Sequence, residues 1–265
     1  MIGTIIGDVA GSIYEFDNHK SKEFELLQAN GFFTDDSVMT LAVCDALMKS
    51  KDTGRSLQKQ AVESMQTIGQ PYPDCGFGGR FYDWIYQKNP LPYKSYGNGA
   101  AMRVSGCAYV GRTLHEVITL AYQVTKVSHN HPEGLKGAEA TAVAVFLART
   151  GKTKEEIRAH ITERYYPLDF TIDSIRPDYS FDVSCQGSVP QAMEAFLESA
   201  DFEDAIRTAV SVGGDSDTIA AITGSIAEAY YGVPKALREK ALTYLDDRLR
   251  RILKEFERRY PSKTI

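Results

Sequence analysis

Apolar residues recur at intervals of three and four positions along most of this chain, which is the spacing of one face of an α-helix. The segment that follows Asp36 shows this pattern clearly. Its one-sided apolar positions are Val38, Leu41, Ala42, Ala46 and Leu47. The same spacing predicts further helices over residues 56–68, 114–127, 134–148, 202–212, 217–231 and 235–260. These segments together predict an all-α protein.

Helix-capping residues predict where several of these helices begin. Thr153 is a predicted N-cap, because two glutamates follow it in a first turn, where the helix dipole favours acidic side chains. Asp201 is predicted to cap the helix that starts at residue 202. Ser188-Val-Pro190 predicts another helix start, since proline is tolerated in a first turn.

No segment alternates clearly between apolar and polar residues, so the sequence predicts no β-sheet. Residues 70–99 are rich in Gly, Pro, Tyr and Asn, and a loop of that length is usually functional or disordered. The aromatic residues of this stretch favour an ordered, substrate-facing loop with a short helix. Residues 170–183 are predicted to form a loop, because Pro177 and scattered aspartates interrupt any regular pattern. No linker and no internal repeat divides the chain, which predicts a single domain over residues 1–265.

The composition is that of an ordinary globular protein, with 43% hydrophobic and 25% charged residues among 265. A formal net charge of −5 supplies no basic field, so no stable nucleic-acid partner is expected. The sequence shows no secretory signal and no apolar run that could span a bilayer, so we expect a cytoplasmic protein without a membrane partner. Widely spaced cysteines without a CxxC pair predict free thiols at Cys44, Cys75, Cys107 and Cys185.

Two short acidic clusters stand at predicted helix starts, and each contains two aspartates and one threonine. The six residues are Thr34, Asp35, Asp36, Asp215, Asp217 and Thr218. Either cluster alone is explained by N-capping, for which one carboxylate suffices. Together they offer four carboxylates and two hydroxyls, which are the hard oxygen ligands that Mg²⁺ and Mn²⁺ prefer. Four carboxylates packed together would repel one another, so the pattern predicts a site for two divalent cations.

A further carboxylate, Glu15, ends a short apolar stretch near the start of the chain. Two interpretations of this residue stay open at the level of sequence. Glu15 is either an ordinary solvent-facing acid or a carboxylate that faces a cleft. Only the presence of the two acidic clusters favours the second interpretation.

The turn Gly97-Asn98-Gly99 precedes a predicted helix. Free backbone N–H groups at the positive end of a helix form a ready site for a phosphate. A plain turn followed by a helix cap explains the same residues equally well.

The segment that contains His129 and His131 offers two imidazoles two residues apart. An HxH pair can bind zinc, but no third soft ligand lies nearby in the sequence. A polar contact with a substrate is therefore favoured over a metal, and an ordinary surface loop stays an alternative. The sequence does not distinguish which of the two histidines makes the contact.

At these motifs the chain resembles the ADP-ribosylglycohydrolase family, which includes the enzyme that reactivates dinitrogenase reductase and the eukaryotic arginine- and serine-ADP-ribose hydrolases. The resemblance extends from Gly7 to Gly224 and depends on the order and number of the motifs. The motifs are Gly7-Asp8-Val-Ala-Gly11 with Glu15, Thr34-Asp35-Asp36-Ser37, Gly97-Asn98-Gly99-Ala-Ala-Met102-Arg103, Ser128-His129-Asn-His131-Pro132 and Gly213-Gly214-Asp215-Ser-Asp217-Thr218.

The resemblance implies a compact orthogonal helical domain with a dinuclear Mg²⁺ or Mn²⁺ centre at the base of a cleft. The implied metal ligands are Thr34, Asp35 and Asp36 from an early helix and Asp215, Asp217 and Thr218 from a late one. The implied catalytic residues are Glu15, Asp35 and Asp36. The implied substrate-binding residues are Gly97, Asn98, Gly99, Met102, His129 and His131.

The activity that the resemblance implies is hydrolysis of the glycosidic bond between ADP-ribose and a modified target. The target is either an ADP-ribosylated protein or another ADP-ribosyl conjugate. One alternative is a non-catalytic ADP-ribose-binding or structural relative, but six intact oxygen-bearing ligand positions argue against it. The second alternative is a glycosidase that acts on another small ribosyl substrate. The Gly97-Asn98-Gly99 turn, which could bind a phosphate, argues against a nucleoside without phosphates as that substrate.

Overall fold

A computed structural model describes residues 1–262 of the protein. Within that range the chain forms fourteen α-helices and one 3-10 helix at Asn98–Ala100, and it contains no β-strand, which confirms the all-α prediction. An isolated antiparallel bridge joins Gly97 and Ser184. The α-helices are α1 (Ile2–Gly11), α2 (Asp35–Thr53), α3 (Leu57–Gly69), α4 (Gly79–Tyr86), α5 (Ser105–Val110), α6 (Leu114–Thr125), α7 (Pro132–Arg149), α8 (Lys154–Arg164), α9 (Ile172–Ile175), α10 (Cys185–Glu198), α11 (Phe202–Val210), α12 (Ser216–Tyr231), α13 (Lys235–Leu242) and α14 (Asp247–Arg259).

Helix α12 lies at the centre of the core. Every residue of this helix from 216 to 229 is buried. It contacts α1, α7, α10 and α11 most extensively, and α2 and α5 less so. A helix that is covered on all sides has no solvent-facing stripe, and its polar residues must find partners inside the protein.

Glycines of α1 allow this helix to approach the backbone of α12 closely. A Cβ at Gly7 would overlap the backbone of Ala220, and a Cβ at Gly11 would overlap the backbone of Asp217. The Ser216 hydroxyl donates a hydrogen bond to the carbonyl oxygen of Gly11 at 3.0 Å. Because the two helices run antiparallel, the C-terminal end of α1 meets the N-terminal end of α12.

Helix α1 also fixes the start of α2 through the carboxylate of Asp8, which is fully buried. Asp8 accepts hydrogen bonds from the backbone N–H groups of Thr34 and Ser37, both at 3.0 Å. It also accepts from their hydroxyls at 2.8 and 2.5 Å. A single ten-residue helix therefore holds together the N-termini of α2 and α12, and each of these helices begins with an acidic cluster.

Several predicted boundaries are confirmed. Thr153 is the N-cap of α8 and forms a capping box with Glu156. Asp201 is the N-cap of α11 and accepts a hydrogen bond from the backbone N–H of Asp204. The stretch 70–99 contains the short helix that its aromatic residues indicate, since α4 spans Gly79–Tyr86.

Other predicted boundaries are wrong. The helix expected to start at Ser188 starts three residues earlier at Cys185, and Ser184 caps it. Pro190 therefore lies inside α10 rather than in a first turn, and it cannot donate a hydrogen bond to the preceding turn. The helix expected over 235–260 is two helices, because Asp246 caps a new helix through the backbone N–H of Leu249.

The described residues form no disulfide, and all four cysteines are free, as expected; Cys44, Cys107 and Cys185 are buried and Cys75 is partly buried. Among residues 1–262, no helix combines the length and apolar character that crossing a membrane requires.

Candidate active site

A cleft of about 320 Å³ opens where the start of α2, the start of α12 and the loop before the 3-10 helix meet. Most of the predicted site residues line this cleft. They are Glu15, Asp35, Asp36, Gly97, Asn98, Gly99, Met102, His129, Asp215, Asp217 and Thr218. The predicted residues Thr34 and His131 do not line it.

One end of the cleft, the acidic end, is formed by carboxylates from three separate segments, which contribute Glu15, then Asp35 and Asp36, and then Asp215 and Asp217. Glu15, Asp215 and Asp217 each place a carboxylate oxygen within 4.8 Å of the other two. Asp215 is the residue before the first turn of α12, and its side chain caps no backbone N–H group. Its carboxylate is therefore available to face the cleft. Carboxylate oxygens are the ligands that Mg²⁺ prefers, so three converging carboxylates could hold a divalent cation at this position.

Asp36 joins the two acidic clusters. The Thr218 hydroxyl donates a hydrogen bond to Oδ2 of Asp36 at 3.0 Å. Oδ1 of Asp36 is buried and has no hydrogen-bond partner among the described residues. A buried carboxylate oxygen without a partner is costly, and a bound cation would satisfy it. The orphaned oxygen and the converging carboxylates therefore fit a divalent cation.

The electrostatics of the acidic end favour proton or cation binding. Burial and then neighbouring carboxylates raise the pKa values of Asp35, Asp36 and Asp217 well above the ordinary range. Burial, together with the charges of Asp217 and Asp8, raises the pKa of Glu15 to about 8. Burial raises the pKa of Asp215 to about 6, although hydrogen bonds oppose the shift. The helix dipoles of α2 and α12 point their positive ends at this cluster but do not neutralise it.

Thr34 lies beneath the acidic end rather than in the cleft wall. It is the N-cap of α2, and its hydroxyl accepts a hydrogen bond from the backbone N–H of Asp36 at 3.3 Å. The same hydroxyl donates to Asp8 at 2.8 Å. A hydroxyl has two lone pairs, so one remains for a cation.

Asp8 supports the acidic end of the cleft, although it belongs to a sequence motif and was not among the predicted site residues. It holds Thr34 and Ser37 in place and touches neither end of the cleft directly. Burial raises its pKa to about 6, against the effect of its hydrogen bonds. A motif position cannot show this role, because it depends on α1 packing beside the start of α2.

The other end of the cleft, the arginine end, contains a buried cation. Arg103 is 1% exposed, and its guanidinium donates to the Ser128 hydroxyl at 2.7 Å. Its Nε atom has no hydrogen-bond partner among the described residues. The guanidinium lies over the ring of Phe81 at 5.3 Å. Burial lowers the pKa of Arg103 to about 10, so the group stays charged and is suited to an anionic ligand.

His129 lies between Arg103 and the Gly97–Gly99 turn. Its Nδ1 atom faces Arg103 at 3.3 Å and the Ser128 hydroxyl at 2.9 Å. An arginine can only donate, so Nδ1 accepts and Nε2 carries the proton. Burial and then the charge of Arg103 lower the pKa of His129 well below its ordinary value, which keeps the ring neutral. A Cβ at Gly99 would lie 3.4 Å from Nε2, so this donor faces the turn.

His131 occupies a different environment. Its ring is the N-cap of α7, where Nδ1 accepts a hydrogen bond from the backbone N–H of Glu133 at 3.2 Å. The ring also packs edge-on against Tyr96. Of the two histidines, only His129 therefore lines the cleft.

The Gly97-Asn98-Gly99 turn differs from the expectation in one respect. It leads into a 3-10 helix of three residues, and the next helix, α5, starts only at Ser105. The expected contribution of a helix dipole is therefore missing. The side-chain nitrogen of Asn98 instead donates to the Asp215 carboxylate at 2.5 Å and to the Ser188 hydroxyl at 2.9 Å. Asn98 thereby connects the turn to the acidic end.

Nine further residues that line the cleft were not assigned to it from the sequence: Gly76, Gly78, Gly79, Arg80, Phe81, Tyr93, Ser95, Arg103 and Val183. The aromatic content of residues 70–99 was the available signal for Phe81 and Tyr93. Arg103 stood in a quoted motif, but nothing in the sequence showed that it would be buried without a carboxylate partner. Val183 fell in a segment predicted only to be a loop.

On this helical fold, the cleft therefore has buried carboxylates at one end and a buried cation with a neutral histidine at the other. The sequence profile of the ADP-ribosylglycohydrolase family matches residues 1–263. The chain therefore belongs to the ADP-ribosylglycohydrolase family.

Similar proteins agree with this assignment. The chain is 25% identical to ADP-ribosylhydrolase ARH3 of Bos taurus over 92% of this chain and 88% of the relative. It is 26% identical to ADP-ribosylarginine hydrolase Tri1 of Pseudomonas putida (strain GB-1) over 88% of this chain and 70% of the relative. A solved structure described as an ADP-ribosylglycohydrolase-related protein complex has the same fold, with a TM-score of 0.70 and 21% identity over 97% of this chain and 95% of its own.

Proposed function

We propose that this protein, acting as a single domain, hydrolyses the glycosidic bond between ADP-ribose and a modified target with the help of two divalent cations, Mg²⁺ or Mn²⁺. The observation that carries the proposal is the acidic end, where Glu15, Asp215 and Asp217 converge within 4.8 Å. The names of the similar hydrolases support ADP-ribose as the group released. The target is an ADP-ribosylated protein or another ADP-ribosyl conjugate.

The metal ligands that we assign are Thr34, Asp35, Asp36, Asp215, Asp217 and Thr218. The unpartnered Oδ1 of Asp36 supports this set, as does the lone pair left on each threonine hydroxyl. Bound cations supply the positive charge that neutralises these carboxylates and lower the pKa of a nearby water. Once the carboxylates are neutralised, the acidic end accepts a ribose that carries hydroxyl groups.

The arginine end is assigned to the diphosphate and the rest of the ADP group. Nε2 of His129 donates toward the Gly97–Gly99 turn, and Arg103 supplies a buried positive charge. A neutral donor beside a fixed cation suits a diphosphate, since charged acceptors form the stronger hydrogen bonds. Met102, which is 3% exposed, completes this wall with an apolar surface.

The bond that breaks joins the anomeric carbon of the ribose to the target. Its cleavage passes through an oxocarbenium-like state, as in other glycoside hydrolysis. Glu15 lies at the acidic end of the cleft, where burial and then the charges of Asp217 and Asp8 raise its pKa to about 8 in the metal-free protein. A carboxyl group so placed can act as a general acid. We assign to Glu15 the transfer of a proton to the leaving group, and to water the attack on the anomeric carbon. Asp35 and Asp36 would hold the divalent cations at this acidic end of the cleft.

The test is release of ADP-ribose from arginine- and serine-ADP-ribosylated peptides in the presence of Mn²⁺, Mg²⁺ or EDTA. We expect release that needs a cation, that is abolished in Asp35→Ala, and that is unchanged in Asp247→Ala, an exposed aspartate on α14. Calorimetry of Mn²⁺ binding to the same three proteins gives a readout that does not depend on activity. ADP-ribose binding without release from any conjugate would instead support the non-catalytic alternative.

A further inference from the structure

A second cavity, separate from the cleft, opens between α3, the segment 88–92 and the end of α6. It is a groove of about 810 Å³, against about 320 Å³ for the cleft, and the two cavities share no lining residue. None of its residues has a part in the proposed reaction. We call this cavity the lysine groove, after three of the residues that line it: Lys59, Lys88 and Lys126.

The lysine groove is positively charged, because its three lysines are accompanied by a single acidic residue, Glu63. Within residues 1–262, the ion pairs that contain a lysine all involve lysines outside the groove. The ammonium of Lys126 lies over the ring of Tyr122 at 4.8 Å, a contact that keeps its full charge. Glu63 offsets one of the three charges and accepts a hydrogen bond from Gln60 at 3.1 Å. The groove therefore keeps an excess of positive charge on a chain whose net charge is −5.

The lysine groove also offers apolar surface. Leu91 is 74% exposed and Tyr122 is 46% exposed, so both side chains are open to a ligand. Pro90 and Pro92 stand on either side of Leu91 and have no backbone N–H. This edge of the groove therefore cannot bind an anion through successive backbone N–H groups. Its selectivity must come from the ammonium groups and from apolar contacts.

A thin wall separates the lysine groove from the cleft. Pro92 lines the groove, and the next residue, Tyr93, lines the cleft. On the neighbouring segment, His129 lines the cleft and Asn130 lines the groove. The two segments are joined by a hydrogen bond from the backbone N–H of Tyr93 to the carbonyl oxygen of Ser128 at 3.1 Å. Because the cavities open on either side of this wall, one macromolecule can contact both.

An acidic polypeptide segment has the chemistry that matches the groove. Lysine ammoniums are separate, flexible point charges, whereas the planar fork of arginine is the group best matched to phosphate. No arginine lines the groove among the described residues. Single-stranded nucleic acid also needs aromatic faces on which bases stack, and Lys126 already covers a face of Tyr122, the aromatic residue of the lining. Separated carboxylates and apolar side chains along an extended peptide can engage the lysines and Leu91 together.

We propose that the lysine groove binds an acidic segment of the ADP-ribosylated target protein, in addition to the contact that ADP-ribose makes in the cleft. This inference rests on the proposed function, which makes the target the macromolecule held beside the groove. A second contact raises the effective concentration of the modified residue at the cleft, so it lowers KM without a change in the chemical step. Opposite charge also speeds the encounter of the two proteins.

The first experiment measures the binding of an unmodified peptide. The probe is a short fluorescein-labelled peptide of glutamate, serine and leucine, compared by fluorescence anisotropy with a peptide that has lysine in place of each glutamate. We expect the wild-type protein to bind the acidic peptide and not the lysine peptide, with an affinity that falls as the ionic strength rises. A single-stranded oligonucleotide of the same net charge is the third probe, and we expect it to bind more weakly than the acidic peptide.

Substitutions in the lysine groove should weaken this binding. The groove variant, which combines Lys59→Gln, Lys88→Gln and Lys126→Gln, is expected to raise Kd for the acidic peptide by about tenfold, the combined effect of three partly exposed ion pairs. Leu91→Ser is expected to raise the same Kd by about threefold, because an apolar contact is lost.

The matched control removes the same charge elsewhere. Lys51→Gln, Lys235→Gln and Lys254→Gln replace three exposed lysines that do not line the groove. The control variant should bind the acidic peptide with a Kd within about twofold of the wild-type value, because distant exposed charges are screened. Both triple variants should keep the wild-type melting temperature, since the lysines lie at the surface.

The second experiment measures the contact with the target. Peptides ADP-ribosylated on arginine or serine carry either the acidic segment or the same segment with glutamine in place of glutamate, joined through Gly/Ser linkers of increasing length. With Mn²⁺ present, the acidic segment is expected to lower KM by about tenfold at the best linker length and to leave kcat unchanged. The groove variant should lose this difference, while its affinity for free ADP-ribose, measured by calorimetry, should equal that of the wild type.

The outcomes distinguish this inference from the function on which it rests. Equal affinity for the acidic and lysine peptides, or an unchanged Kd in the groove variant, overturns the binding of acidic segments by the groove. Tighter binding of the oligonucleotide than of the acidic peptide overturns a protein as the partner. Binding of the acidic peptide without a lower KM at any linker length overturns the assignment to the target protein and leaves ADP-ribose hydrolysis standing. Absence of release from every linked peptide overturns the proposed function and the target assignment together, while the anisotropy measurements still decide whether the groove binds the acidic peptide.

Discussion

The acidic end and the arginine end of the cleft are opposite in charge and are built differently. The acidic end stands on the N-termini of α2 and α12, which α1 holds together through Asp8 and through the close contact at Gly11. The arginine end stands on irregular chain, with Arg103 between the 3-10 helix and α5 and His129 in the turn before α7. Each end lacks its counter-charge within the described residues. The cleft is therefore negative at one end and positive at the other, which is the pattern that the proposed cations and diphosphate would complete.

Removal of a carboxylate from the acidic end should have the largest effect. It should lower the activity and raise the stability of the metal-free protein. Asp217→Asn is expected to lower metal-dependent kcat/KM by at least about 10²–10³-fold, the scale of losing one strong electrostatic group. The same change should raise the melting temperature of the metal-free protein, because it relieves repulsion among buried carboxylates. Steady-state kinetics and thermal melting in EDTA measure the two effects. A lower melting temperature in EDTA would contradict the claim that this end is unbalanced.

Asp8 tests whether the acidic end depends on its support from α1. Asp8→Asn puts an amide donor among the N–H and hydroxyl donors of Thr34 and Ser37, which disturbs the first turn of α2. We expect Mn²⁺ affinity to fall by about 10–100-fold, the usual effect of changing a residue that orients metal ligands. Calorimetric titration with Mn²⁺ provides the measurement, and Asp173→Asn, an exposed site, is the matched control. Unchanged affinity in Asp8→Asn would show that the ligands are held without it.

Arg103 provides the corresponding test of the arginine end. Arg103→Met keeps an elongated buried side chain but removes the charge, and ADP-ribose affinity is expected to fall by about tenfold or more. Stability should change little, because a buried cation without a carboxylate partner is costly in the folded state. Binding of Mn²⁺ in the absence of ADP-ribose should be unaffected. If Mn²⁺ binding also weakened, the two ends would not be independent.

The stability of the metal-free protein should depend on pH in a direction fixed by the raised carboxyl pKa values. Asp8 and Asp215 change from 3.8 to about 6 on folding, and Glu15 from 4.5 to about 8. The folded state therefore binds more protons than the unfolded state, so stability is lost as pH rises from about 4 to about 8. In EDTA we expect the melting temperature to fall by on the order of 5 °C between pH 5 and pH 8. Saturating Mg²⁺ should greatly reduce this slope, and an equal slope with and without Mg²⁺ would contradict cation binding by these groups.

Local sequence signals correctly predicted features, such as helix caps, that depend only on residues adjacent in the sequence. The caps at Thr153 and Asp201 lie where the sequence indicated, because a cap requires only its own first turn. The break between α13 and α14 was missed, since Asp246 lies within a helical apolar pattern. In the structure its Oδ1 caps α14, and its Oδ2 accepts a hydrogen bond from the Tyr72 hydroxyl. Pro190 led to a wrong helix start at Ser188, because a proline usually marks a first turn. Helix α10 instead contains Pro190 beyond its first turn.

The sequence by itself determined the all-α class, the main helices and the residue types of the acidic end, since periodicity, capping and oxygen ligands are all written in short segments. Only the tertiary structure decided that Asp36 and Thr218, 182 residues apart, share a hydrogen bond. It also decided that His129 enters the cleft while His131 caps a helix, and that Arg103 is buried without a counter-charge. The physical reason is that burial and electrostatic balance are properties of packed neighbours, which a linear pattern does not contain.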